Sequence, residues 1–302
     1  MRHITILIFL IACTQKSFSQ TQIPSQASAV NKTNLSHLEN IQTNLLPFYS
    51  ITGKTEKHSI LEMMSKNNIP GIRMVFADKG KIVWSANFGY AEISKKIKVD
   101  SETVFAGASL SKPITSVIAL QLCDEGKLRL DENINNWLSG WKIPGNDITQ
   151  GKIISLRFLL SHTAGLDRKN WSEYSPTDSI PSLIQMLKGE KPSVDKRFSF
   201  INEPGKAFKY SNTGYLITQK AIEDVTGEPF AKVAEAHIFK PLRMNHTSFK
   251  QPIAPVLLPY KATGYSSNLK PFSYKIYPFE AAGGIWTTPD DLAKFTITLI
   301  ND

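Results

Sequence analysis

Cysteine is almost missing from this chain: two in 302 residues, Cys13 and Cys123. Cys13 lies in a leader-like N-terminus, so the mature chain is left with a single thiol and no internal disulfide. No Cys/His cluster has zinc-ligand spacing, and the six histidines form neither H-E-x-x-H nor H-x-H, which argues against a metallohydrolase. Long apolar runs are also lacking beyond the first twelve residues, so no later segment reads as a transmembrane helix. The net charge is +9, yet the lysines are scattered and their longest run is Lys95-Lys96. No nucleic-acid-binding motif accompanies that charge, and it reads as a solvated basic surface. No cofactor is implied.

What is present suits a globular protein of one large domain or two closely joined subdomains. Hydrophobic residues make up 41% and charged residues 20%, enough to build a core without disulfides or metals. Met1-Arg2-His3 followed by Ile4 to Ala12 has the form of a basic n-region and a short h-region. Two exits follow it. Leu10-Ile11-Ala12-Cys13 has a lipobox pattern, which would attach a lipid to Cys13 and hold the protein at a membrane. Ser17-Phe18-Ser19 has the small-x-small pattern of an ordinary cleavage site, releasing a chain from Gln20. The charged Lys16 favours the lipobox. The expectation is export across the inner membrane to a periplasmic or outer-membrane-lipoprotein location. Residues 1–19 are therefore read as leader, 20–44 as a polar tether, and 45–302 as the folded domain.

The spacing predicts a short helix over 56–66, ended by Asn67 to Gly71. Ile72 to Ala77 and Lys81 to Tyr90 read as two strands of a hairpin turned at Asp78-Lys79-Gly80. From Ser109 onward, Ile114, Val117, Ile118, Ala119, Leu120, Leu122 and Cys123 are apolar nearly all round a helix, as in a buried helix. Pro113 is tolerated only in its first turn, so the helix is expected to begin at Ser109, with Gly126 as its cap. Tyr215 to Thr226 reads as a helix closed by Gly227. Thr288-Pro289-Asp290-Asp291 opens another, with a threonine cap, a proline at the first position and acid in the first turn.

Two motifs carry chemistry. In Ser109-Leu110-Ser111-Lys112, residues three apart share a helix face, which sets Lys112 beside the Ser109 hydroxyl. A serine hydroxyl needs a neighbouring base, and a lysine becomes one when burial lowers its pKa. S-x-x-K also begins at Ser139, Ser193 and Ser267, but in loop-like stretches. The plainer alternative is Ser109 as a helix cap with Lys112 solvated. In Tyr210-Ser211-Asn212, a loop before a helix carries a phenol that can shuttle a proton and an amide that can hold a carbonyl. The alternative there is a core tyrosine and a turn asparagine.

Together these phrases resemble the serine β-lactamase-like, penicillin-recognising family: class C β-lactamases, DD-carboxypeptidases and related esterases. Further matching phrases are Ile69-Pro70-Gly71, Gly80 to Val83, Phe105 to Pro113, Leu159 to Leu166, Pro204 to Tyr215 and Ala282 to Trp286. The resemblance spans about residues 45–302. It implies an α/β fold of the α+β type, with an antiparallel sheet flanked by helices plus a mostly helical subdomain. It also implies acyl transfer through a serine ester on an amide, β-lactam or ester, from a small molecule or a peptidoglycan-like peptide. Ser109 would be the nucleophile, Lys112 its activator, Tyr210 the general base and acid, and Asn212 a substrate-binding group. His162 is read as structural, and Gly283-Gly284 as a place of close backbone approach.

The family's third motif, Lys-Thr-Gly or His-x-Gly on a C-terminal strand, has no match after Trp286. That strand supplies an oxyanion donor worth roughly 10²–10³ in rate. The expectation is a domain whose C-terminal strands are missing and a 302-residue chain that is poorly soluble or inactive. Two other readings stay open. One is a catalytically inactive sensor on the same fold. The other is an α/β-hydrolase, although Gly107 to Ser111 lacks the last glycine of G-x-S-x-G.

Overall fold

The computed structural model describes residues 39, 42–46, 57–149 and 151–301. The leader, Cys13 and most of the tether lie outside the described residues. The chain forms two compact units. One combines the chain up to Phe105 with Pro259–Ser273 and Thr288–Asp302; the other combines Ala106–Leu258 with Tyr274–Thr287.

The first unit opens with α1, Ile60–Lys66. It starts four residues later than the periodicity suggests because Ser59 and Glu62 form a reciprocal capping box there. Strands β1 (Gly71–Asp78) and β2 (Lys81–Glu92) form the expected antiparallel hairpin. Lys79 and Gly80 both have positive φ (48° and 73°), the turn geometry that matches strand twist. A two-residue β3, Ile97–Lys98, adds to the far side of β2. Ile60 and Met64 of α1 pack on Met74, Trp84, Ala86 and Phe88 of the hairpin, one face of helix against one face of sheet.

The last helix of this unit spans Pro289–Asn301, and the Thr288 hydroxyl accepts the Asp291 N–H at 3.2 Å, as the sequence predicts for a cap. Its acids do more than face the helix dipole. Asp290 takes two hydrogen bonds from the buried Arg73 guanidinium, at 2.6 and 2.8 Å, and so ties the helix to β1.

In the second unit, β4 (Phe105–Ala108) and β5 (Ile285–Thr287) form a two-stranded sheet. Helix α2 runs Ser111–Asp124, two residues later than predicted, and Ser109-Leu110 form the turn that feeds it. Pro113 falls in its first turn. The helix is not buried all round as expected: Ile114, Ile118, Ala119 and Leu122 are buried, whereas Leu120 is exposed and Val117 and Cys123 are half-buried. Helix α3, Asn212–Thr226, is buried continuously from Thr213 to Ile222 and ends at Gly227 with φ 69°. Phe249 packs between Phe230 and Phe239, with ring centroids 4.9 and 5.6 Å away. Among the described residues no helix is long and apolar enough to cross a membrane, and no cluster of metal-binding side chains occurs.

Candidate active site

The second unit brings Ser109, Lys112 and Tyr210 together. The Lys112 ammonium donates to Ser109 Oγ at 3.0 Å, and Ser109 Oγ lies 2.8 Å from the Tyr210 hydroxyl. Ser109 is exposed while Lys112 is only 5% exposed. The hydroxyl therefore faces solvent, and the amine that serves it comes from the interior.

Local structure explains the placement. Ala108, just before Ser109, has φ 44°, a conformation that costs a residue with a Cβ about 1 kcal/mol or more. Ser111 holds that turn. Its hydroxyl donates to the Ala108 carbonyl at 2.7 Å and accepts the Ile285 N–H at 3.2 Å, fastening the turn to β5. Sequence reasoning did not single out Ser111. Its complete burial is the property that distinguishes it, and a short motif does not display burial.

Lys112 has a second acceptor, the Ala282 carbonyl at 2.6 Å, and Thr115 one turn on donates to the Ala281 carbonyl at 3.0 Å. Both carbonyls belong to a short helix, Glu280–Gly283. Gln219 of α3 accepts the Ala281 N–H at 3.1 Å and completes the support from the other side. Gly284 follows, where a Cβ would lie 2.8 Å from the Glu280 Cα, so the close approach expected of Gly283-Gly284 occurs within this helix. Burial lowers the Lys112 pKa below the usual lysine range, partly opposed by the Tyr210 side chain.

Tyr210 lies on extended chain before α3. Its ring sits 4.4 Å from the His162 ring, and the Lys112 Nζ and the Arg168 guanidinium approach it at 5.0 and 6.0 Å. Asn212 is placed differently from its companions. Its amide donates to the Lys169 carbonyl at 3.2 Å, closing the 168–171 loop on the start of α3.

The phrase Ser161 to Leu166 is fixed by its glycine. Gly165 has φ 77°, and its carbonyl accepts the Ile201 N–H at 2.8 Å and the Asn202 N–H at 3.3 Å. A Cβ there would stand 2.0 Å from the Asn202 carbonyl oxygen.

The rival S-x-x-K stretches form no such arrangement. Ser139 uses its N–H and carbonyl on Asp224 and Lys220, at 2.7 and 2.9 Å, while Lys142 bonds the Leu138 carbonyl at 2.5 Å. An open hollow of about 460 Å³ lined by Ser139, Glu223, Asp224 and Glu228 contains no residue of the constellation.

Residues 57–302 match the Beta-lactamase family model, and the chain belongs to that family. It is 28% identical over 246 residues to Penicillin-binding protein 4* of Bacillus subtilis, covering 75% of this chain and 51% of that protein. Over 191 residues it is 29% identical to Protein flp of Staphylococcus aureus, covering 62% of this chain and 36% of that protein. Among solved structures, an octameric penicillin-binding protein homologue from Pyrococcus abyssi superposes with a TM-score of 0.66 at 23% identity. That superposition covers 80% of this chain and 55% of that one, and it speaks to the fold. A class C β-lactamase superposes with a TM-score of 0.61 at 26% identity, covering 78% of this chain and 61% of its own. The chain thus spans about half, or less, of the length of these curated relatives.

Proposed function

We propose that this protein is a serine hydrolase that works through an acyl-enzyme on an amide, β-lactam or ester. The observation that carries the reading is the single hydroxyl, Ser109 Oγ, in reach of both a buried lysine and a phenol.

In the proposed cycle Ser109 Oγ attacks the substrate carbonyl carbon. Its proton passes to the Lys112–Tyr210 pair, for which Lys112 must be neutral when it accepts. Burial favours the neutral amine, as an activated serine requires. The carbonyl oxygen becomes an oxyanion, the carbonyl reforms, and the C–N or C–O bond to the leaving group breaks. Tyr210 delivers the proton to the departing nitrogen or oxygen. Water then adds to the ester carbonyl while the same pair takes its proton, and that proton passes to Ser109 Oγ as the ester C–O bond breaks and the acid product leaves. Asn212 contributes by fixing the 168–171 loop, and its remaining amide hydrogen and oxygen are the groups that would meet substrate. Export with a lipid on Cys13 belongs to the same proposal, resting on the leader sequence alone.

The test is incubation of the full chain with a penicillin, a p-nitrophenyl ester and a peptide ending in D-Ala-D-Ala, read by intact mass against Ser109→Ala. The reading requires at least one acyl adduct that Ser109→Ala lacks, and the donor that forms it assigns the substrate class. If the well-folded protein forms none, it is a binding protein on this fold and the enzymatic reading fails.

A further inference from the structure

We propose that His162 is a positioning residue, holding the Tyr210 phenol on Ser109 while its imidazole is neutral. This rests on the reading of Ser109 and Tyr210 given above.

Tyr210 has no regular secondary structure to fix it, since α3 begins only at Asn212. His162 braces it from three sides. The Lys209 N–H donates to the His162 carbonyl at 2.8 Å, and the Ser211 N–H donates to His162 Nδ1 at 3.2 Å. The residues before and after Tyr210 are therefore both tied to one residue. The imidazole also lies along the phenol ring at 4.4 Å and 35°, and Phe208 and Tyr215 close the cage at 5.8 and 5.4 Å.

The backbone alone does not require histidine here. His162 has φ 60°, where glycine would rest without strain. A side chain kept in a conformation that costs about 1 kcal/mol or more has another use, and its contacts are with Tyr210, with Phe208 and Ser211 beside it in the chain, and with Tyr215.

Those contacts also fix its charge state. Because Nδ1 accepts the Ser211 N–H, the ring proton sits on Nε2, and Nδ1 can be protonated only by giving that bond up. The groups facing the ring are Phe208, Tyr210 and Tyr215, with Lys112 behind them from α2 and Arg168 across the Tyr210 ring. None is a carboxylate. Burial first, and then the Lys112 charge, hold His162 below the usual histidine range. Protonation frees Ser211, loosens Tyr210 and adds a cation beside Lys112, so acylation must fall on the acid side.

The experiment compares wild type, His162→Asn and His162→Leu by the pH dependence of Ser109 phosphonylation, using a fluorophosphonate probe. Asparagine offers an acceptor oxygen near the Nδ1 position and tolerates positive φ. We expect His162→Asn to keep most of the maximal rate and to retain only the acid limb that Lys112 protonation imposes, losing the further fall below the usual histidine range. His162→Leu keeps bulk but no acceptor, and we expect a drop of about 10²-fold in the maximal rate with little change in the half-saturating probe concentration. The same fall below the usual histidine range in wild type and His162→Asn, or a wild-type rate in His162→Leu, overturns the proposal.

Failure of the underlying reading looks different: no labelling of wild type, or equal labelling of Ser109→Ala. Nitrogen NMR of labelled histidine then decides the positioning claim without catalysis. A bare Nδ1 that gains its proton only below the usual histidine range, with the Tyr210 ring signals moving as it does, supports it. Titration in the ordinary range, or a motionless Tyr210, overturns it. Should His162→Leu fail to fold, His162→Asn and the spectrum carry the decision.

Discussion

Glu280→Gln should make this protein more stable at neutral pH, and the gain should vanish in acid. Glu280 begins the short helix whose carbonyls receive Lys112 and Thr115. Burial first, and then the neighbouring Glu223, push its carboxyl from 4.5 up to about 8, against backbone N–H groups of Gln251 and Ala231 that favour the charge. Because the folded-state value is raised, the folded protein holds a proton that the unfolded chain releases. This group's stabilisation is complete below pH 4.5 and is lost as pH rises through about 8. At about 1.4 kcal/mol per pH unit, the loss by pH 7 is about 3 kcal/mol. Glutamine is always neutral and escapes it. Urea unfolding of the two proteins at pH 5 and pH 8 measures the difference. Wild type should fall behind the variant by about 3 kcal/mol more at the higher pH. A gap between the two proteins that is the same at both pH values would refute the protonated Glu280.

Other expectations follow from the same geometry. Tyr210→Phe and Lys112→Met should each lower the rate of Ser109 acylation by about 10²–10⁴ while leaving the circular dichroism spectrum unchanged; a wild-type labelling rate in either would remove that group from the chemistry. Asp290→Ala leaves the Arg73 guanidinium, whose side chain is 4% exposed, with only the Asn87 amide oxygen at 2.7 Å and no counter-charge, and should cost about 3 kcal/mol in chemical denaturation. Arg73→Met leaves a more hydrated Asp290 and should cost less than half as much, so equal losses would contradict the asymmetry in burial. Gly165→Ala drives a methyl into the Asn202 carbonyl and should cost about 3 kcal/mol or more, visible as a lowered melting temperature.

The hairpin could be read from sequence because alternation and turn chemistry are local: Asp78-Lys79-Gly80 is where two positive-φ residues are needed. The helix beginning at Pro289 was legible for a similar reason, since cap, proline and acid lie within four residues. What could not be read depends on distant parts of the chain. Strands β4 and β5 are four and three residues long and lie about 180 positions apart, so no periodicity marks either one. The start of α2 was misplaced by two residues because its limit is set by Ser111 reaching Ile285. At the candidate site, Ser109, Lys112 and Tyr210 could be named because the ordered set of phrases around them resembles a known family; S-x-x-K by itself occurs four times. The Ala282 carbonyl could not, since a backbone acceptor has no sequence signature. His162 stood in a recognisable phrase, but its bond to Ser211 crosses 49 positions and appears only in the fold.

The measurement that bears most directly on the account is peptide mapping of the intact chain after reaction with a fluorophosphonate. Displacement of fluoride by Ser109 Oγ should leave one phosphonyl group on the peptide that contains Ser109, and none on Ser109→Ala. Labelling that persists in Ser109→Ala, or that maps to another serine such as Ser139, would contradict the claim that this hydroxyl is the nucleophile.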